Sequence, residues 1–413
     1  MKINRSFIYV LLFFSAIAIV AIYGKVKKYG DVQMPDTKEI EDIVRNAEWK
    51  NGALFGDDVL YYENDGLCYK NIKNGKGRKL CTKAGCVHNN DECMARFDPD
   101  VIIEQMYVLD HKLYLVGHSQ DSVVLYRCDV DGNNHETVSR NSVATKSYSD
   151  IFWMSCLKKD QVVYIGVTVQ DSSETKVLKD GSMSDAPGIA RFFSLDLKSG
   201  KMKELYSFKK SYQCFLNLQY VDQDKLFFEY QGNKLPYEKI IKKENNDGGG
   251  GETDLSAVYA LDLQKNSLKM LKGRKLDDLV GFDGQDCYIN IFDNSQKMTG
   301  IIQKINCKTN RQTRVYADDI KGTEIGSGKV YLLQNGFAVN LQKENDEMGQ
   351  VIILNKKGKK IKRINSAKWF IVGEYKGVYL LSRNAVVDRV SAYISKKDIE
   401  KINMKVVELN GEE

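Results

Sequence analysis

The sequence predicts an all-β protein, a seven-bladed β-propeller, and three observations predict it. One internal spacing recurs seven times. A short β-rich segment precedes each recurrence. A further apolar patch precedes each of those segments, so every unit supplies four strands. Units of four short antiparallel strands repeated at roughly 40 to 50 residues are the pattern of propeller blades. The last recurrence is degenerate, which leaves six or eight blades open as neighbouring counts.

Taken in chain order, residues 1–5 form a short flank in which Lys2 and Arg5 precede SFIYVLLFFSAIAIVAIYG, residues 6–24. That uncharged run is about as long as a bilayer core requires, and it predicts a transmembrane helix. Its only Ala-x-Ala, Ala16-Ile17-Ala18, lies inside the run, and no cysteine follows it. An uncleaved signal anchor is therefore expected in place of a signal peptide or a lipidated terminus. A large body after one N-terminal span is expected outside the cytoplasm. The chain should be a single-pass protein of the cell membrane.

Residues 25–46 read as a tether followed by a short amphipathic helix. Asp36-Thr37-Lys38-Glu39 has capping-box spacing, and Ile40, Ile43, Val44 and Ala47 repeat with helical period. Residues 47–413 are the propeller.

The recurring spacing places an apolar residue nine positions after an Asp or Asn: Asn71 to Leu80, Asp129 to Val138, Asp196 to Leu205, Asp262 to Leu271, Asn306 to Val315 and Asn355 to Ile364. Ser395 to Met404 is the weaker seventh. Asp and Asn hydrogen-bond their own backbone two residues on, so each marks a turn between two antiparallel strands. Ahead of these hairpins lie VLYYE, KLYLVG, VVYIGV, KLFFEY, CYINIF, KVYLLQ and GVYLLS, at intervals of 43 to 63 residues. A β-sandwich would not require the same ruler seven times.

Charge excludes little but points away from nucleic acid. Lys and Arg number 61 against 55 Asp and Glu, and the basic residues are scattered, with no basic stripe. The four glycines in residues 243–254 have no following Lys-Ser or Lys-Thr and lie between β segments, which excludes a phosphate loop. Asp129-Val130-Asp131-Gly132-Asn133-Asn134 has its glycine at the fourth position instead of the sixth, so a hairpin turn is expected there, not a calcium loop. Gly326-Ser327-Gly328 lacks the spacing of a hydrolase elbow.

The densest chemistry is LCTKAGCVHNNDEC, residues 80–93, the connection from the first unit to the second. Cys81, Cys86, His88 and Cys93 form a Cys-x4-Cys-x-His-x4-Cys set that suits one tetrahedral structural zinc. Oxidising surroundings would instead join some of these cysteines in disulfides, with Cys68 a further partner and His88 an ordinary exposed residue. A Cys86–His88 catalytic pair is the weakest reading, because no third group orients it. Such a connection is expected at the mouth of the central channel. Cys156, Cys214, Cys287 and Cys307 lie in apolar β contexts and are expected to be buried thiols.

The aliphatic-Asp-x-x-x-Gly turns resemble those of the TolB-like and YWTD-like propeller superfamily, over nearly all the chain after the span. The segment carried by Leu80, Cys81, Cys86, His88 and Cys93 resembles a group of uncharacterised extracytoplasmic propeller proteins from Clostridia-type bacteria. This chain departs from the lipoprotein members in having a bare span. The resemblance implies fold and location and carries no activity over.

With no catalytic set recognised, the expected function is a membrane-anchored module that binds a glycan, peptide or protein partner. The alternative is a polysaccharide-active enzyme with carboxylates at the channel mouth. No cofactor beyond the zinc, and no nucleic acid, is expected.

Overall fold

The computed structural model describes residues 52–408, apart from 56–57, 64–65, 72–76, 82, 84–85, 87–92, 94, 146–149, 172–186, 213, 223, 234–238, 240–254, 275–277, 285, 325–327, 343–347, 376 and 386–389. The anchor expected at 6–24, the tether and helix of 25–46, and His88 lie outside these residues. Among the described residues no helix is long and apolar enough to cross a membrane.

The strands fall into antiparallel sheets of consecutive segments. The first sheet is β1 (Gly52–Phe55), β2 (Asp58–Glu63), β3 (Gly66–Asn71) and β4 (Gly77–Lys79). The second is β5 (Ile102–Leu109), β6 (Lys112–His118), β7 (Ser122–Asp129) and β8 (Glu136–Ser142). The third holds β9 (Asp150–Lys159), β10 (Val162–Gln170), β11 (Pro187–Asp196), β12 (Met202–Ser207) and the short β13 (Ser211–Tyr212), which pairs with the far end of β11. The fourth is β14 (Phe215–Asp222), β15 (Lys225–Gly232), β16 (Leu255–Asp262) and β17 (Ser267–Arg274). The fifth is β18 (Asp278–Asp283), β19 (Asp286–Phe292), β20 (Met298–Asn306) and β21 (Gln312–Tyr316). The sixth is β22 (Gly328–Leu333), β23 (Gly336–Gln342), β24 (Gly349–Asn355) and β25 (Lys360–Ala367). The last is β26 (Phe370–Tyr375), β27 (Val378–Ser382), β28 (Ala392–Ser395) and β29 (Val407–Glu408). The architecture is nearly all β and consistent with a β-propeller.

The expected spacing has a structural meaning. In each sheet its first residue ends the third strand opposite the first residue of the second: Asp58↔Asn71, Lys112↔Asp129, Val162↔Asp196, Lys225↔Asp262, Asp286↔Asn306, Gly336↔Asn355 and Val378↔Ser395. In the third to sixth sheets the Asp or Asn then ties the turn by its own side chain. Asp196 accepts the Ser199 N–H at 2.8 Å, Asp262 the Lys265 N–H at 2.9 Å, Asn306 the Thr309 N–H at 2.9 Å and Asn355 the Lys357 N–H at 2.9 Å. Asp131 does the same for Asn133 at 2.9 Å, so the Asp129–Asn134 segment is a hairpin turn.

A turn glycine then docks on the preceding sheet. A side chain at Gly132 (φ +87°) would meet the Leu80 carbonyl at 2.3 Å, one at Gly358 (φ +80°) the Tyr316 carbonyl at 2.1 Å, and one at Gly200 (φ +69°) the Ser139 side chain at 2.7 Å. Each carbonyl or side chain met belongs to the outer strand of the sheet before, or to the residue just after it. The seventh unit departs from the ruler. A 3₁₀ helix, Lys396–Lys401, replaces the hairpin turn, Met404 is 80% exposed, and Ile399 and Ile402 are buried in its stead.

Alternation along the strands builds the core. On β6, Leu113 and Leu115 enter an apolar wedge against the first sheet, while Tyr114 and Val116 enter the wedge against the third. The same rule holds on β15, where Phe227 faces the fifth sheet, and Leu226 and Phe228 the third. Six such wedges join consecutive sheets. Each fully buried Phe or Leu contributes roughly 1.5–3 kcal/mol. The first strands contact one another in succession, from β1 and β5 through to β22 and β26. They therefore form the inner edge of the array.

Candidate functional site

The Cys81–Cys93 connection is tied at both ends to β3. The Leu80 N–H donates to the Leu67 carbonyl at 2.7 Å, and the Leu67 N–H donates to the Ala95 carbonyl at 2.6 Å. Cys86 follows a turn in which its N–H reaches the Lys83 carbonyl at 3.2 Å, and the Cys93 carbonyl accepts from Arg96 at 3.0 Å. These constraints bring residues 81, 86 and 93 together. Their three Sγ atoms lie within 4.8 Å of one another.

The group belongs to the wedge between the first two sheets. Cys81 and Cys93 are buried among Leu67, Leu80, Phe97 and Tyr126, and half-buried Cys86 packs against them. The channel mouth expected for this connection is thus not where its described residues pack. They pack at the level of the third strands, because the loop returns to pair with Leu67. Phe97 seals one side, stacked on His135 at 4.6 Å and tilted on Tyr126 at 5.1 Å.

All nine cysteines are thiols in this structure. Burial pushes the Cys93 thiol up to about 11, against the pull of the Ala95 backbone; the thiols of Cys86 and Cys81 add to the rise. Crowded sulfurs resist becoming thiolates because each new negative charge meets the others. A cation among them reverses that cost. Zn–S bonds of about 2.3 Å put tetrahedral sulfurs roughly 3.8 Å apart, so a modest contraction suffices. Cys81, Cys86 and Cys93 can hold a metal ion.

Cys68 is not one of this group; its thiol donates to the Gly66 carbonyl at 3.6 Å. Sequence reasoning passed over Cys128, which lies fully buried in the same wedge and is pushed up to about 12 by burial. Its place beside the turn residue Asp129 at the end of a third strand was the available signal. Cys214 and Cys287 are buried as expected, whereas Cys156 and Cys307 are only half-buried.

A second feature lies where three consecutive first strands begin. Ile102 is 58% and Phe152 49% exposed. Phe152 is the unpaired bulge residue between Ile151 and Trp153, and bulges re-aim side chains. Its ring lies 5.7 Å from Phe215, which Trp153 meets edge-on at 5.6 Å. The Trp153 indole N–H is held by the Leu216 carbonyl at 3.0 Å. Beside this aromatic rim, the Gln120 side chain donates to Asp150 at 2.7 Å, and the Gln120 carbonyl accepts from the Ile151 N–H at 2.7 Å. Neither spacing nor composition marks these residues, because the rim forms only when separate units align.

The carboxylates whose proton affinity is displaced among the described residues are all displaced downward: Asp129 by Lys112, Asp196 by Ser199, Asp398 by Lys405 and Glu400 by Lys362. A general acid needs the opposite displacement.

No family model matches the sequence, and no curated protein matches it. Solved structures do resemble the fold. A puromycin-hydrolysing peptidase of Mycobacterium tuberculosis aligns with a TM-score of 0.51 at 10% identity, over 92% of this chain and 56% of its own. An oligogalacturonate lyase of Vibrio parahaemolyticus aligns at 0.48 and 10% identity, over 89% and 91%. A prolyl endopeptidase aligns at 0.46 and 12% identity, over 93% and 51%. The chain spans about half the length of the two peptidases. These neighbours include β-propeller proteins, and likeness at such identity speaks to fold alone.

Proposed function

We propose that the chain is a seven-bladed β-propeller held in the cell membrane by residues 6–24, with its body outside the cytoplasm, and that it binds a glycan, peptide or protein partner. The observation that carries the reading is the aromatic rim of Phe152, Phe215 and Trp153 on adjacent first strands. Phe152 is exposed, with Phe215 and Trp153 half-buried beside it; aromatic side chains supply contact area at little entropic cost, and they stack on apolar and sugar faces alike.

Cys81, Cys86 and Cys93, with His88 as the fourth donor, hold one structural zinc in this proposal. Four such ligands close the coordination sphere and leave no open position for chemistry.

The test is binding of the detergent-solubilised full chain to arrayed cell-wall polysaccharides and peptides. Phe152→Ala should weaken a captured ligand about tenfold, the scale of a central interface aromatic. Met404→Ala, at an exposed site in the turn before β29, should leave it unchanged. Turnover of an arrayed polysaccharide, lost on Asp150→Asn, would establish the enzyme instead.

A further inference from the structure

We infer that the metal held by Cys81, Cys86 and Cys93 is the pin that docks the first sheet against the second. The inference rests on the zinc reading above and adds a position and a role to it.

The first sheet is one of two whose outermost pairing is short, the other being the last, where β28 and β29 pair at two positions and large buried side chains fill the wedge. Its β4 pairs at three positions, Cys68↔Lys79, Tyr69↔Arg78 and Lys70↔Gly77, whereas β7 and β8 pair at six and β16 and β17 at seven. The connection that follows is polar: between Cys81 and Cys93 only Ala84, Cys86 and Val87 are apolar. Such a segment cannot bury a core of its own. Yet Cys81 and Cys93 lie inside the apolar wedge with Met106, Leu113 and Val124 of the second sheet. Their sulfurs are therefore the polar part of the connection's contribution to that wedge, beside Ala95, Phe97 and Val101.

A metal there closes a loop whose two ends are already hydrogen-bonded to Leu67, and it gives those ends one fixed separation. Thiolate donors select a soft ion, zinc among the common divalent metals. Three S–H bonds break, three S–metal bonds form, and the three protons pass to solvent, which leaves the divalent ion and three thiolates with a net charge of −1 before a fourth donor binds. Metal binding of this kind is coupled to folding of the segment that supplies the ligands. Here the coupled unit is the first sheet and its face on the second.

The experiment uses the full chain in detergent, purified under reducing conditions with zinc present. Metal analysis should return one zinc per chain. Chelation should then raise amide exchange at least tenfold in residues 66–71 and 95–109, with less than a twofold change in the third to seventh sheets. The Cys86→Ser variant, which alters the half-buried sulfur and spares the two buried ones, should reproduce the same local pattern. Cobalt substitution should show thiolate charge-transfer absorption that falls in that variant. Zinc bound but exchange unchanged, or raised evenly over all sheets, would overturn the pin and leave the zinc reading standing. No bound metal would overturn both.

Discussion

The two sheets at the ends of the array are joined to their neighbours by different chemistry. Between the sixth and seventh sheets the wedge is aromatic and aliphatic, with Trp369, Phe370 and Tyr393 buried, and Arg383 lies 4.8 Å over the Trp369 ring. One amide spans it: Asn340, fully buried, donates to the Ile371 carbonyl at 2.9 Å and accepts the Ile371 N–H at 3.2 Å. Between the first and second sheets the corresponding volume holds Cys81, Cys93 and Ala95 with one ring, Phe97, from the connection. A wedge of large side chains holds mainly by the area it buries. A wedge lined by sulfur has less area, and it gains the option of a bond that depends on what is dissolved around it.

The largest effect should come from the aromatic end. Phe370→Ala empties a fully buried site and should cost about 3–5 kcal/mol in denaturant unfolding. A loss well below about 2 kcal/mol would mean that this wedge does not depend on its rings.

Next comes a pair of glycines. Gly132→Ala meets the Leu80 carbonyl and also occupies a left-handed conformation, so about 2–3 kcal/mol is expected. Gly377→Ala in the last sheet has φ +84° with nothing within 4 Å, and should cost about 1 kcal/mol. Equal costs would remove the turn-to-strand contact from the account of the first wedge.

Acid should have the smallest effect, and it reaches both ends, since Lys362 and Lys405 hold Glu400 and Asp398 of the last unit down as well; the contrast is therefore between two particular amides. The ammonium of Lys112 and the amide of Asn134 hold the Asp129 carboxyl below its ordinary value of 3.8. A depressed folded value contributes stability that is present above that ordinary value and lost as pH falls through the folded one. Amide exchange near Asp129 should therefore rise below about pH 3.8, while exchange at Ile371, whose partner Asn340 does not titrate, stays level over the same interval. A parallel rise at both would show that acid acts globally.

Much of this was legible because turn chemistry is local. Asp196 and Asn355 tie turns within a few residues of themselves, so their spacing appears in the sequence wherever the hairpin does. The converging cysteines were legible for the same reason, since a short polar stretch of chain can only bring Cys81 and Cys93 together by closing on itself. The position of that cluster was not, because it depends on a hydrogen bond from Leu67 to Ala95 that no pattern announces. Phe152 was invisible too. Its exposure comes from a bulge, an extra residue that a period of two has no place for. In the seventh unit Ser395 keeps the ruler's opening position, but the 3₁₀ helix after it shifts the buried role from Met404 to Ile402, which spacing alone could not reveal.

The docking of each turn glycine on the sheet before it has a direction. Gly132 leans on Leu80, Gly200 on Ser139 and Gly358 on Tyr316, and in every case the seat lies earlier in the chain than the group that sits on it. A chain emerging from the ribosome thus presents each new hairpin to a surface already made. In these three contacts no hairpin waits for chain not yet synthesised, whereas, in the proposed ring, the last sheet must find the first.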